Sequence, residues 1–96
     1  MFDWNYEYGS LLLDKGRAAD AVTVLGDATR VGDNAVTRPG RLYLAHLHYA
    51  QALQKVGRRP EAAANYQIYL DTAPGTDPDR AEAAAALKAL GGPVKQ

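Results

Sequence analysis

Histidine and serine are the side chains of this sequence whose chemistry could support metal binding or nucleophilic catalysis. His46 and His48 are the only histidines, and on a helix this spacing turns their side chains about 200° apart, so they cannot chelate one metal ion together. Ser10 is the only serine, and no arrangement of Ser, His and Asp is readable around it. We therefore predict no catalytic residue and no metal site.

Cofactor chemistry finds no support in the sequence either. The chain contains no cysteine, which removes thiolate catalysis and thiolate metal ligands. It also contains no glycine pattern of the GxGxxG or phosphate-loop type. We predict no cofactor and no enzymatic activity. The enzymatic alternative would require a polar pocket with clustered titratable groups, and a turnover that is lost on His48→Ala.

The charges of the chain are balanced, with 11 Lys and Arg residues against 11 Asp and Glu residues. Without a net charge, no long-range attraction to nucleic acid or to an anionic membrane surface is expected. No apolar run approaches the ~18 residues of a membrane-spanning helix, and the N-terminus lacks the pattern of a signal peptide. We expect a soluble, cytoplasmic chain that binds no nucleic acid and inserts into no membrane.

The elements that position these side chains are predicted to be helices throughout. Ala, Leu, Glu, Lys and Arg dominate the chain, and β-branched residues are sparse. Gly16 and Gly57 stand where a helix end needs a residue free to adopt a positive φ, and Asp77 before a proline is typical of a helix start. The pattern predicts five helices with short connections, and Pro39 in the first turn of the third.

The opening segment FDWNYEY alternates aromatic and polar residues as a half-buried strand does, but the pattern that follows favours a helix. On a helix, the alternation resolves into two apolar stripes. One stripe, which we predict to face the second helix, consists of Trp4, Tyr8 and Leu12. The other stripe, which is surplus to the core of a monomer, consists of Phe2, Tyr6 and Leu13.

An internal repeat organises the helices. The segment YGSLLLDKGRAADAVTVLGDA lies over YAQALQKVGRRPEAAANYQIY at an offset of 41 residues, which puts Gly9 over Ala50 and Gly16 over Gly57. A partial third copy follows at an offset of 34 residues, with Ala84 over Ala50. Such a period indicates stacked helical hairpins, in which these small residues mark close helix crossings. The large residues predicted to fill the core are Leu12, Leu25, Leu53 and Tyr66.

The order of residues in the second copy resembles the tetratricopeptide repeat family, through Ala50, Leu53, Gly57, Ala62, Tyr66 and Pro74. Tyr69 stands where the family usually has a small alanine. The resemblance covers nearly the whole chain and implies an all-α, right-handed stack of antiparallel helical hairpins. It divides a single domain of residues 1–92 into repeat 1 at 2–34, an inserted loop at 35–41, repeat 2 at 42–75 and a capping helix at 77–91, followed by a tail at 93–96.

The resemblance also implies a function, since ligands of this family lie in a concave groove lined by the first helix of each unit. It implies a non-enzymatic scaffold that binds a partner peptide or helix. The matching groove positions are Tyr6, Ser10, Leu13, Leu44, Leu47, His48, Gln51 and Lys55. Among these, the apolar residues suggest an apolar strip with polar edges. His46 falls at an inward position and is expected in the core.

Two alternatives remain open beside a groove ligand. Phe2 and Tyr6 lie on the surplus stripe, so the aromatic first helix is a candidate surface for self-association into a homodimer. The chain is alternatively a fragment of a longer repeat protein, because about three repeats are usually needed to bury a continuous core.

Overall fold

The computed structural model describes residues 2–35 and 40–91, which form five α-helices and no strand, as the all-α prediction requires. Each helix packs against the next one along the chain. Within these residues, no helix combines the length and apolar character that crossing a membrane requires. The predictions for Pro39 and for the tail at 93–96 lie outside the described residues. The helices are α1 (Phe2–Asp14), α2 (Ala18–Asp33), α3 (Leu42–Lys55), α4 (Arg59–Thr72) and α5 (Arg80–Ala89).

The turns after α1 and α3 have the same construction. Gly16 adopts a φ of +80° and Gly57 a φ of +86°, in the left-handed region that favours glycine. After α1, the Arg17 N–H donates to the Leu12 carbonyl at 2.9 Å and the Gly16 N–H donates to the Leu13 carbonyl at 3.1 Å. The equivalent bonds after α3 have the same lengths. Both helices therefore end in a Schellman motif, and each reverses the chain within three or four residues.

The first hairpin depends on a close crossing between α1 and α2. A Cβ atom added at Gly9 would lie 2.5 Å from Cγ of the buried Leu25, so only a residue without a side chain fits there. The equivalent position of α3, Ala50, is also fully buried. The third copy differs from the prediction, because Ala84 is exposed. Within the described residues, no second helix follows α5 to cover it.

The core consists of two clusters that meet at α3. One joins α1, α2 and α3, and the other joins α3, α4 and α5. Ala45 and Ala52 of α3 belong to the first cluster, whereas Ala50 and Leu53 belong to the second. The central helix is therefore packed on two sides, which holds the two hairpins in one body. The large residues predicted for the core are all buried, namely Leu12, Leu25, Leu53 and Tyr66.

The prediction for the two stripes of α1 is wrong, except that Leu12 is buried as expected. Phe2 and Tyr6 are buried, with 8% of each residue exposed, whereas Trp4 is 67% and Tyr8 is 42% exposed. The reason is the crossing at Gly9, which fixes the rotation of α1 about its axis. Residues three and seven positions before Gly9 are Tyr6 and Phe2, and they share its inward face. The surplus apolar surface therefore lies on the opposite side of α1.

Tyr69, the departure from the family pattern, fills the space between α4 and α5. Its ring is fully buried, 6.2 Å from the ring of Tyr43, and its hydroxyl donates to Asp77 Oδ1 at 2.6 Å. The Asp79 N–H donates to the same oxygen at 3.0 Å. Burial raises the pKa of Tyr69, while the hydrogen bond from the Tyr69 hydroxyl lowers the pKa of Asp77. Asp77 thus organises the turn, and α5 begins at Arg80 rather than at Asp77.

Candidate partner-binding groove

A concave groove of about 660 Å³ lies between α1, α3 and α5. One wall comes from the C-terminal end of α1, and the facing wall comes from the first residues of α5 and the turn before it. Four residues of α3 form the length of the groove, in the helical spacing i, i+4, i+7 and i+8 that keeps them on one face. These residues are Leu47, Gln51, Gln54 and Lys55.

Four of the eight predicted groove residues line this cavity, namely Leu13, Leu47, Gln51 and Lys55. Tyr6, Ser10 and His48 form a separate contact further along α1 and α3, in which the rings of Tyr6 and His48 are 5.5 Å apart. Leu44 does not line the cavity, because it packs half-buried against both core clusters. The structure therefore divides the predicted set into a groove and an adjoining polar contact.

The predicted apolar strip is not open to solvent. Tyr6, Leu13 and Leu47 are all buried, because α1 and α3 contact each other directly and close the space between them. Leu13 and Leu47 form the floor of the groove. What the groove presents to solvent is consequently polar, with amide and charged side chains above an apolar base.

The charges of the groove are mostly negative. Three carboxylates line it, from Asp14, Asp79 and Glu82, against a single amine from Lys55. In the part of the chain that the structure describes, none of these four side chains forms an ion pair, although six ion pairs occur elsewhere. The groove therefore carries charges that the fold itself does not neutralise.

Two amide side chains of the groove, from Gln51 and Gln54, offer hydrogen-bond donors and acceptors. The Tyr66 hydroxyl donates to Gln54 Oε1 at 2.8 Å, which fixes the Gln54 side chain and leaves its NH₂ group as a donor. Gln51 lies one turn earlier on the same face of α3 and is half-buried. Side-chain amides offer both a donor and an acceptor, which is what an extended peptide backbone requires.

Ser10 and His48 make a contact that the sequence did not indicate. Ser10 Oγ lies 2.9 Å from His48 Nδ1, although the two residues are 38 positions apart. Burial lowers the pKa of His48, so its neutral form is favoured and the ring takes up a proton less readily than a free imidazole does. Catalysis would further require a group that orients the imidazole and donors for an oxyanion. The hydrogen bonds of the described residues supply no such partner for His48.

His46 lies in the core, as predicted. It is buried, with Nδ1 2.7 Å from Asn65 Oδ1 and Nε2 3.3 Å from Asp33 Oδ1, so it links α3 to α4 and to α2. The described residues contain no group of three or more His, Cys, Asp or Glu side chains suited to a metal ion. His46 therefore has a structural explanation in its two hydrogen bonds.

Arg41 joins α1 to the start of α3 beyond the Ser10 and His48 contact. Its guanidinium lies over the ring of Tyr6 at 4.9 Å from the centroid, and Nη2 is 3.5 Å from Asp3 and 3.4 Å from Glu7. Both ion pairs are exposed, so each contributes little to stability. They lie between α1 and the start of α3, at the end remote from the groove.

Four residues that line the groove do not fall at the groove positions of the resemblance, namely Tyr66, Asp79, Ala83 and Ala86. Tyr66 is predicted for the core and its ring is buried, but its hydroxyl donates to Gln54 in the groove. The other three lie on α5 and in the turn before it. Their place in the groove depends on how α5 packs against α4, which leaves no local signal in the sequence.

These features have to be interpreted on their own geometry and charge. The chain matches no family model, no curated protein and no solved structure.

Proposed function

We propose that this protein is a non-enzymatic interaction module, built as a right-handed stack of tetratricopeptide-like hairpins, that binds a basic segment of a partner protein in the groove. The proposal concerns the cavity between α1, α3 and α5. It names a class of partner rather than a particular protein.

The stacked arrangement is supported by the equivalence of the two hairpins. Besides their identical glycine turns, both second helices begin with the same local ion pair. Arg17 Nη2 lies 2.6 Å from Asp20 Oδ2, and Arg58 Nε lies 2.6 Å from Glu61 Oε1. Both residues of each pair are 41 positions from their counterparts. Repeating units of this kind pack through equivalent surfaces, which is the basis of a solenoid.

The observation that carries the proposal is the set of uncompensated charges in the groove. A cavity of about 660 Å³ falls in the usual range of binding sites, about 300–1,000 Å³. Asp14, Asp79 and Glu82 outnumber Lys55, so a segment that brings Lys or Arg side chains gains favourable electrostatic energy. The amides of Gln51 and Gln54 can bind the backbone of the same segment. The apolar floor contributes contact area beneath it.

Two short fluorescent peptides of equal length test this proposal, one in which Ala alternates with Lys and one in which Ala alternates with Glu. Fluorescence anisotropy should give binding of the Lys peptide and none of the Glu peptide, with an affinity that falls as salt is added. Backbone NMR shifts should change around Gln51, Lys55 and Glu82. Equal binding of both peptides, or shifts that lie outside the groove, would contradict the proposal.

Charge-neutral variants sharpen the same test. Asp14→Asn and Glu82→Gln should each weaken binding of the Lys peptide by about two- to fivefold, the range expected for one exposed charge contact. Asp71→Asn makes the same change of charge on α4, outside the groove, and should leave binding unchanged. Lys55→Gln should strengthen binding of the Lys peptide. An effect of Asp71→Asn as large as that of Glu82→Gln would indicate an unspecific attraction.

A further inference from the structure

The side of α1 that faces away from the core carries a stripe of exposed apolar side chains. Trp4, Tyr8 and Leu11 are 67%, 42% and 50% exposed, and the rings of Trp4 and Tyr8 stack with their centroids 5.8 Å apart. Lys15 follows one turn later, directly after the end of α1, and is also exposed. The spacing i, i+4, i+7 and i+11 puts all four on one side of the helix. We call these four residues the aromatic face.

The internal repeat identifies the aromatic face as an interface position. At the offset of 41 residues, its first three residues correspond to Ala45, Tyr49 and Ala52 of α3. Ala45 and Ala52 are fully buried in the cluster shared with α1 and α2, and a Cβ atom added at Gly26 of α2 would lie 3.2 Å from the Tyr49 hydroxyl oxygen. In the second unit, this face is thus covered by the preceding hairpin.

The same relation holds at the next step of the repeat. At the offset of 34 residues, Tyr49 corresponds to Ala83 and Ala52 to Ala86 in α5. Ala83 is buried and Ala86 packs against the cluster that α5 shares with α4. Only on α1 is the face left open by the residues that the structure describes. The question is what covers it.

The sizes of the residues argue against another hairpin stacked in the same way. The two covered copies have alanine where α1 has Leu11, and α3 has alanine where α1 has Trp4. Small residues are what allow α3 to approach α2 closely. A tryptophan and a leucine in those places would hold a stacked helix away. The aromatic face therefore requires a partner surface that can interdigitate with large side chains.

We infer that the aromatic face binds the aromatic face of a second copy of this chain, with the two α1 helices antiparallel about a two-fold axis. The pairing follows from the residue order, because an axis midway between Tyr8 and Leu11 also lies midway between Trp4 and Lys15. Each Tyr8 then packs on the partner's Leu11, and each Lys15 amine meets the face of the partner's Trp4. A cation against an indole ring is a favourable electrostatic pair. One stripe thus supplies both halves of a symmetric interface.

The area of the aromatic face determines how strong this dimer is. Its three apolar side chains expose on the order of 300 Å² per protomer, which is the size of the largest patch on many monomers. Two such faces bury about 600 Å² in total, which is less than the ~1,200 Å² at which stable interfaces begin, so the contact is a weak one. We therefore expect a reversible dimer with a dissociation constant on the order of 100 μM.

Trp4 is the only tryptophan in the chain, so its fluorescence reports directly on this interface. Sedimentation velocity from about 10 μM to about 1 mM, a range that brackets the expected dissociation constant, should show the mass rise toward that of a dimer. The tryptophan emission should shift to shorter wavelength over the same range, because the ring leaves water. A monomer at every concentration, or assembly beyond a dimer, would overturn the inference.

Four variants test the surface and its orientation. Trp4→Ala should weaken the dimer at least tenfold, whereas Ile68→Ala, which removes a 38% exposed side chain on α4, should have no effect. Lys15→Ala should weaken it about threefold and Lys15→Arg should retain it, since only the former removes the cation. If Trp4→Ala leaves the dissociation constant of the dimer unchanged, or if Ile68→Ala raises it equally, the aromatic face is not the interface. A dimer lost with Trp4→Ala but indifferent to Lys15→Ala refutes the antiparallel pairing.

Discussion

Replacing Gly9 by alanine sets two opposing effects of known size against each other. Alanine favours a helix over glycine by about 1 kcal/mol, so at an uncrowded site the change would raise the free energy of unfolding. At Gly9, however, the new methyl group would lie 2.5 Å from Leu25 Cγ and 2.6 Å from Leu25 Cδ2. Leu25 is fully buried and has no room to move aside. Overpacking of this kind costs about 1–3 kcal/mol, so we expect a net loss of about 1 kcal/mol.

A matched variant isolates the steric effect from the gain in helix propensity. Gly26 also lies within a helix, but there a new Cβ atom would be 3.2 Å from the hydroxyl oxygen of Tyr49, a half-buried side chain that can shift by a few tenths of an ångström. Gly26→Ala should therefore be neutral or stabilising by up to about 1 kcal/mol. Urea unfolding followed by far-UV circular dichroism measures both variants under the same conditions. We expect Gly9→Ala to lower the free energy of unfolding and Gly26→Ala not to lower it.

A double variant tests whether the clash with the Leu25 side chain is what makes Gly9→Ala destabilising. Leu25→Ala alone should cost about 2–5 kcal/mol, because it leaves a cavity in the first core cluster. In that background the clash is gone, so Gly9→Ala should become stabilising, and the two changes should couple by at least 1 kcal/mol, roughly the size seen for residues in contact. If Gly9→Ala stabilises the unmodified protein, α1 and α2 do not cross closely at Gly9. The hairpin packing that fixes the rotation of α1 would then be wrong.

Three further outcomes follow from the polar contacts. Burial lowers the pKa of His48 below its ordinary 6.5, so the unfolded chain takes up a proton at a higher pH than the folded chain does. The contribution of His48 to the free energy of unfolding should therefore be complete above pH 6.5 and decline below it. NMR titration of the ring should give the lowered pKa. The hydrogen bond from Tyr69 holds the pKa of Asp77 below its ordinary 3.8. The stability that the Asp77 carboxylate contributes is therefore complete above pH 3.8 and is lost as the pH falls below it. Asp77→Asn should lower the urea midpoint at neutral pH and make stability fall less steeply in acid. Arg80→Met should cost about 1–2 kcal/mol in urea unfolding, because two carbonyls at the end of α4 lose their charged donor.

Helices and turns could be predicted because their causes are local. The turns after α1 and α3 need a residue with a positive φ, which glycine adopts without strain, so Gly16 and Gly57 indicate both turns directly. The internal repeat places the two glycines at equivalent positions. The prediction that Asp77 starts the fifth helix is wrong by three residues, because α5 begins at Arg80 and the Asp77 carboxylate accepts the Asp79 N–H in the turn before it. The shift arises because its carboxylate is held by the hydroxyl of Tyr69 as well. That partner lies in another helix and leaves no local signal.

The stripes of α1 could not be assigned from the sequence, because their orientation depends on a tertiary contact. Trp4, Tyr8 and Leu12 repeat at a spacing of four residues, which is a valid helical face. Phe2, Tyr6, Gly9 and Leu13 follow one another at spacings of four, three and four residues, which is a helical face as well. Both sets combine aromatic residues with leucine, so hydrophobicity alone does not decide between them. The close crossing of α1 and α2 at Gly9 turns the second set toward the core. The same contact buries Leu13, so the groove is polar where the sequence predicted an apolar strip.

The rotation of α1 also determines whether the groove and the aromatic face can be used at the same time. Successive residues turn by 100° about a helix axis, so Asp14, which lines the groove, points about 60° away from Leu11 and about 80° away from Trp4. Asp14 therefore lies at the edge of the aromatic face, whereas the groove residues on α3 and α5 lie on other helices and stay open when two copies pair. A dimer would then present two acidic grooves in a fixed relation. A partner with two basic segments would bind it more tightly than one segment binds one groove, because the second contact forms at a high effective concentration.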